Sequence, residues 1–189
     1  EQPASGDPFY RFILSVSELE DFLKIPFDSP ERNTNARFNA TFIANVDGKT
    51  ITRYQCALRL RGSGTRSRYP RNLKIELPSS TPWKGRDELN LNVQFSYNQL
   101  LGSVFYRAAG LPAYESRAVA VRLNGVNHAS PENASVSRPF NHHFGFYVQN
   151  EPINNRYVRE HYPLETGGNL YRMTGNGTGW DYFPGSNDL

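Results

Sequence analysis

Apolar and polar residues alternate with a period of two along much of this chain, the pattern of strands that bury one face. Phe38, Ala40, Phe42 and Ala44 alternate with mostly polar neighbours over 36–46, and Asp47-Gly48 then turns the chain back into 50–61. That is a strong hairpin signal. In the second arm Leu58 and Leu60 alternate with Arg59 and Arg61, so apolar side chains fall on one face and basic ones on the other. Leu73 and Ile75 resume the alternation with Lys74 and Glu76 opposite, which predicts a third strand. Residues 10–14 are apolar enough for a first strand, Leu89 and Leu91 flank a short one, and 116–123 alternates up to the turn signal Asn124-Gly125.

Helical spacing occurs in fewer places. Ser17 with Glu20 forms a capping-box pattern ahead of Leu19, Phe22 and Leu23, and Pro26 ends that short helix. Residues 97–109 carry Leu100, Leu101, Val104, Phe105 and Ala108 at helical intervals, closed by Gly110 and Pro112. The stripe is expected to pack on the sheet. A last short helix is predicted over 153–161, with Pro152 as its first residue.

Composition narrows the class without deciding it. In 189 residues, twelve Phe and eleven Tyr make burial depend on rings, which suits a β-rich or mixed domain. Net charge is +3 from 21 basic and 18 acidic residues, too mild to imply nucleic acid. Cys56 is the sole cysteine, which rules out an intrachain disulfide, and its place in a strand points to an inert buried thiol. No apolar run is long enough for a membrane span. His128, His142 and His143 lie in a polar stretch without spaced Asp or Cys partners, and no metal site is expected from them.

The densest candidate chemistry lies between the second and third strands. Gly62, Ser63, Gly64 and Thr65 make a turn whose amides can face one concavity, a geometry that binds phosphate oxygens. Arg61, Arg66, Arg68 and Arg71 add positive potential, and Lys74 is a candidate phosphate ligand. An exposed hairpin with a basic tip has the same pattern.

Order along the chain adds a further reading. Arg61-Gly62, Thr65-Arg66, Pro70-Arg71 and Lys74-Ile75 resemble the core motif of the CotH family of spore-coat atypical protein kinases. Val121, Leu123, Asn124 and Gly125 resemble a second family pattern, continued after an extra stretch over 126–143 by Phe144, Gly145, Tyr147 and Glu151. Gly168, Leu170, Tyr171 and Arg172 resemble a third.

The resemblance implies an α+β fold: a mostly antiparallel, twisted sheet with one main packing helix, like the N-lobe of a protein kinase. The polar, Pro- and Gly-containing lead over 1–8 reads as a linker; the resemblance implies the lobe over 9–175 and an irregular tail over 176–189 leading to a second lobe outside this chain. It implies ATP as cosubstrate, with Mg or another divalent metal held by the second lobe, and transfer of the γ-phosphate to Ser or Thr of a protein. The cofactor-binding residues so implied are Arg61, Gly62, Ser63, Gly64, Thr65, Arg66, Lys74 and Glu151, the last beside the adenine. A kinase lysine pairs with a glutamate of the packing helix, but 97–109 has no acidic residue, which leaves Glu76, Asp87 and Glu88 as alternatives. Secretion, the cell surface or a spore coat is the implied location, and the fragment is expected to be inactive alone. The alternative is a non-catalytic β-rich module binding polysaccharide or protein through Trp83, Trp180 and Tyr182.

Overall fold

The computed structural model describes residues 8–62, 64–130, 145–165, 167, 170–174 and 179–182. Along the chain, β1 (Phe9–Leu14) and α1 (Val16–Lys24) precede a long hairpin of β2 (Phe38–Val46) and β3 (Lys49–Leu60). Next come β4 (Leu73–Glu76), β5 (Glu88–Asn92), α2 (Ser96–Ala108), β6 (Ser116–Leu123), β7 (Tyr147–Asn150) and α3 (Asn155–His161). The pair β8 (Tyr171–Thr174) and β9 (Gly179–Tyr182) forms a separate two-stranded sheet.

The seven strands β1 to β7 close into a barrel in the order β1-β2-β3-β4-β5-β7-β6. This overturns the expected open, kinase-like lobe. Closure occurs where β1 runs parallel to β6, with Phe9 opposite Ala120 and Phe12 opposite Leu123. The alternation explains why this works. Each strand offers one apolar face, and curling the sheet on itself buries those faces against one another without a covering helix layer. A bulge between Ala40 and Phe42 bends the long hairpin into the curve.

Rings fill the interior. Tyr10 and Phe42 meet edge to face at 5.3 Å, Phe12 stacks on Phe42 at 5.3 Å, and Trp83 closes one end against Tyr10 and Phe42. Leu58, Leu60, Leu73, Ile75, Leu89 and Leu91 complete the wall, all buried. At the other end α1 lays Phe22 across Phe38, and Arg71 stacks on the Phe27 ring at 3.7 Å.

The helices depart from their sequence reading in detail. The N-cap of α1 is Ser15, whose hydroxyl accepts from the Glu18 amide, so the Ser17–Glu20 box is not used. The α3 helix begins at Asn155 under an Asn154 cap, not at Pro152. The larger correction concerns α2: its apolar stripe does not pack on the sheet. Leu101, Val104 and Phe105 are exposed, while Ser96 and Ser103 are buried. A strand core that is satisfied inside the barrel leaves α2 to lie on the polar outer surface. No helix among the described residues is long and apolar enough to cross a membrane.

Candidate functional site

The outer surface beneath α2 carries one continuous polar row. Strand register places Arg59 opposite Lys74, Lys74 opposite Asn90, Asn90 opposite Asn150, and Asn150 opposite Ser116. The row therefore crosses β3, β4, β5, β7 and β6, with its cations at one end and carboxamides along its length. Opposed residues on neighbouring strands point the same way, so all five side chains share the outer face.

Arg61 begins a second row on that face. Its amide donates to the Asn72 carbonyl at 2.9 Å, which continues the β3–β4 pairing and puts Arg61 on the same side as Lys74. Its guanidinium donates to Asn92 Oδ1 at 2.6 Å. Asn92 in turn donates to Gln99 Oε1 at 2.8 Å, and Asn150 donates to the same oxygen. Gln99 Nε2 reaches the Gln94 carbonyl at 2.6 Å. Gln99 thus joins α2 to β5 and β7 through one side chain, and Ser116 of β6 closes the chain by donating to Asn150 Oδ1 at 2.8 Å. Fixed amide dipoles of this kind, satisfied among themselves, hold a surface in one arrangement.

The glycine-rich turn stands at the Arg61 end. Gly62 takes φ +96°, and a Cβ there would run into the Thr65 hydroxyl, so glycine is required on both counts. Gly64 opens a short 3-10 turn, Gly64–Ser67, and has open space around it. Thr65 is tied back to the sheet: its hydroxyl accepts from Asn72 Nδ2 at 3.3 Å and its carbonyl from Gln94 Nε2 at 3.1 Å. Ser63, also expected in the turn, lies outside the described residues.

Two of the arginines grouped with this turn point elsewhere. The buried Arg66 guanidinium donates to the carbonyls of Thr34 and Leu60 and to Asn35 Oδ1. It clamps the 29–35 loop to the end of β3. Arg71 donates to the carbonyls of Ile25 and Pro26 below α1.

The carboxylate that meets Lys74 is Glu88, one of the three alternatives. Glu76 is taken by Arg37 at 2.6 Å and Arg59 at 2.9 Å, and Asp87 contributes its backbone carbonyl to the Leu77 amide. Burial pushes Glu76 up, but the bonds from Arg37 and Arg59 outweigh it and hold the carboxyl below its ordinary range.

Glu151 is not in this group. It sits past the end of β7, 2% exposed at the side chain, where Arg86 donates at 2.9 Å, the Glu115 amide at 3.1 Å, and His161 Nε2 lies 2.9 Å away. Burial again pushes up, and the amide and cationic partners together bring the carboxyl below its usual value. Its own amide donates to the Glu115 carbonyl at 2.8 Å, and Gln149 and Asn150 lie within the β5–β7–β6 pairing. The backbone around Glu151, the residue expected beside the adenine, is thus engaged by neighbouring segments.

His128 accepts or donates at Tyr69 Oη, 2.9 Å away, and burial lowers its pKa; His142 and His143 lie outside the described residues. Cys56 is buried, as its place in a strand suggested, and burial raises its pKa. Among the described residues no group of three His, Cys, Asp or Glu is placed to hold a metal ion. Trp83 is 5% exposed, a plug and not a stacking platform, and the Trp180 and Tyr182 side chains lie outside the description.

The carboxamides Asn90, Asn92, Asn150 and Gln99 were not singled out from the sequence. A signal was present. In ELNLN the two asparagines occupy every second position beside Leu89 and Leu91, so they had to share the face opposite the core.

The family model described as CotH kinase protein matches residues 58–187, which takes in the end of β3, the glycine-rich turn and every strand after it. No curated protein matches the chain.

Proposed function

The chain belongs to the CotH kinase family, and from that premise we propose that the outer face around Arg61 and Lys74 binds the polyphosphate of ATP. In the whole protein the γ-phosphate would pass to a Ser or Thr hydroxyl of a protein. The observation that carries this reading is that the two cations share one face beside a turn whose glycine cannot be replaced without collision. Lys74 would meet phosphate oxygens as a point charge, and Arg61 through its fork of N–H donors. Asn90 and Asn150 offer both donors and acceptors at the far end of the row.

Transfer itself also needs carboxylates that bind a divalent ion and a group that orients the nucleophile. Among the described residues no group of three His, Cys, Asp or Glu is placed to hold a divalent ion. ATP binding is therefore the part of the reaction assigned to this chain. The alternative of a glycan-binding module is not favoured, because Trp83, the one proposed stacking ring whose side chain is described, is buried.

Calorimetric melting tests the reading. ATP should raise the melting temperature of the wild type and leave Lys74→Ala unmoved. Equal shifts in both proteins, or none in the wild type, would remove the nucleotide from this face.

A further inference from the structure

A second concentration of positive charge lies at the end of the barrel plugged by Trp83, past the Ser116 end of the polar row. The chain between β4 and β5 folds there into a tight turn, with reciprocal backbone bonds of 2.9 Å between Trp83 and Arg86. Lys84 and Gly85 take φ of +50° and +70°. Both values lie in the left-handed region that a mirror-image hairpin turn demands. Gly85 is held close beneath the Arg156 guanidinium, with no room for a Cβ. The turn sets Lys84 in the wall of a cavity of about 440 Å³ beside Arg86, Arg107 and Arg117 and the carboxylates Glu115 and Glu151.

Arg86 is matched by Glu151 at 2.9 Å and Glu160 at 3.4 Å, and Arg107 by Glu115 at 3.4 Å. Arg117 is bonded only to neutral oxygens, Tyr10 Oη at 2.5 Å and Gln149 Oε1 at 2.9 Å. Burial raises the Tyr10 pKa, with Arg117 opposing, so the phenol stays uncharged and supplies no counter-ion. Lys84 meets Asp47 at 4.0 Å with both side chains largely in water, a pairing worth little. Arg117 and Lys84 both approach the Trp83 ring, at 5.4 and 5.5 Å from its centroid. Two cations therefore converge over one indole; among the described residues Arg117 has no carboxylate partner and Lys84 has only the distant, solvated Asp47.

We propose that this end of the barrel is a phosphate-binding site, with Arg117 and Lys84 as its anion ligands over the Trp83 ring. A phosphate dianion matches the charge of Arg117 and of Lys84, whose pairing with Asp47 in water is weak enough to be exchanged. Arg117 is held through Nε and Nη2 by Gln149 and Tyr10, which leaves Nη1 as the donor for an anion and means that little side-chain freedom is lost on binding. The site does not depend on the nucleotide reading of the outer face, and the group could be free phosphate or a phosphoester.

The indole N–H resonance of Trp83 reports on this site alone once Trp180→Phe has removed the other tryptophan signal. Titration with inorganic phosphate should shift it saturably. O-phosphoserine binding more tightly than phosphate would identify a phosphoester as the natural group, and the reverse order would identify the free ion. Lys84→Gly should weaken binding about tenfold, the loss of one charge-assisted contact, while the turn survives because glycine takes positive φ freely. Arg117→Gln should abolish the shift, and Lys74→Ala should leave it intact. No saturable shift with either ligand, or an unchanged affinity in Lys84→Gly, overturns the assignment.

Discussion

Lys74 and Glu88 form an ion pair diagonally across β4 and β5: the register sets Lys74 opposite Asn90 and Glu88 opposite Glu76. The diagonal has a reason. Two glutamates directly opposed on adjacent strands repel, and each is answered by its own cation, Glu88 by Lys74 and Glu76 by Arg59 and Arg37. Because the pair is about one-fifth exposed and its loss leaves Glu88 facing Glu76, Lys74→Ala should cost about 1–3 kcal/mol of stability, read from urea unfolding. Its effect on ATP should be separate from this. At ATP 100 times its dissociation constant the wild type gains about 2.7 kcal/mol, and the variant should gain none. A variant that unfolds outright would show instead that the ammonium is a structural brace.

Glu151 should dominate the acid limb of the stability curve. Its folded pKa is depressed, so the stabilisation it confers is complete above the unfolded value of about 4.3 and is lost as pH falls through the lower folded value. Glu151→Gln should therefore cost about 2–3 kcal/mol at pH 7, since Arg86 is left partly buried with only Glu160. The difference from wild type should shrink steadily below about pH 4. Unfolding free energies for both proteins between pH 2 and 7 check this, and a gap that stays constant with pH would assign the cost to packing.

The strands were legible because their period is short and their faces clean: SRAVAVRL becomes β6, and Asp47-Gly48 is the turn of the β2–β3 hairpin. Which strands would be neighbours was not. Nothing in FYRFIL states that it pairs with a strand more than a hundred residues away, and that single parallel contact converts a sheet into a barrel. The site was half visible for a related reason. Charged residues such as Arg61 and Lys74 stand out in a sequence, whereas Asn90, Asn150 and Gln99 become a unit only when β5, β7 and α2 are side by side. Arg66 and Arg71 look like part of an anion site in one dimension because the carbonyls of Thr34 and Ile25 that they bind lie more than thirty residues upstream.

The orientation of α2 makes its own test. A helix whose apolar stripe faced the sheet would lose about 3–5 kcal/mol on Phe105→Ala. With Phe105 68% exposed, Phe105→Ser and Val104→Ser should each stay within about 0.5 kcal/mol of wild type. Ser103→Val, on the buried side, should cost about 1–2 kcal/mol, because it removes the hydroxyl that donates to the Tyr114 carbonyl at 2.9 Å. Chemical denaturation of the three variants distinguishes the two orientations.

The seam of the barrel should be as protected from solvent as its interior ladders. Across it the Ala120 amide donates to the Pro8 carbonyl at 3.0 Å and the Asn124 amide to the Phe12 carbonyl at 2.9 Å, while Asn124 Nδ2 returns a bond to the Leu14 carbonyl at 3.0 Å. In an open sheet β6 would be an edge, and outward amides of an edge strand exchange with water through small local openings. In a closed barrel they can exchange only when the seam separates, which exposes Phe12 and Leu123 together and so approaches global unfolding. Native-state hydrogen exchange should therefore give Ala120 and Asn124 opening free energies within about 1 kcal/mol of those in the β3–β4 ladder. Phe12→Ala should lower all of them together by about 3–5 kcal/mol, since it removes a ring from the common core. Fast exchange at Ala120 and Asn124 beside slow exchange in β3 would mean that the sheet is open.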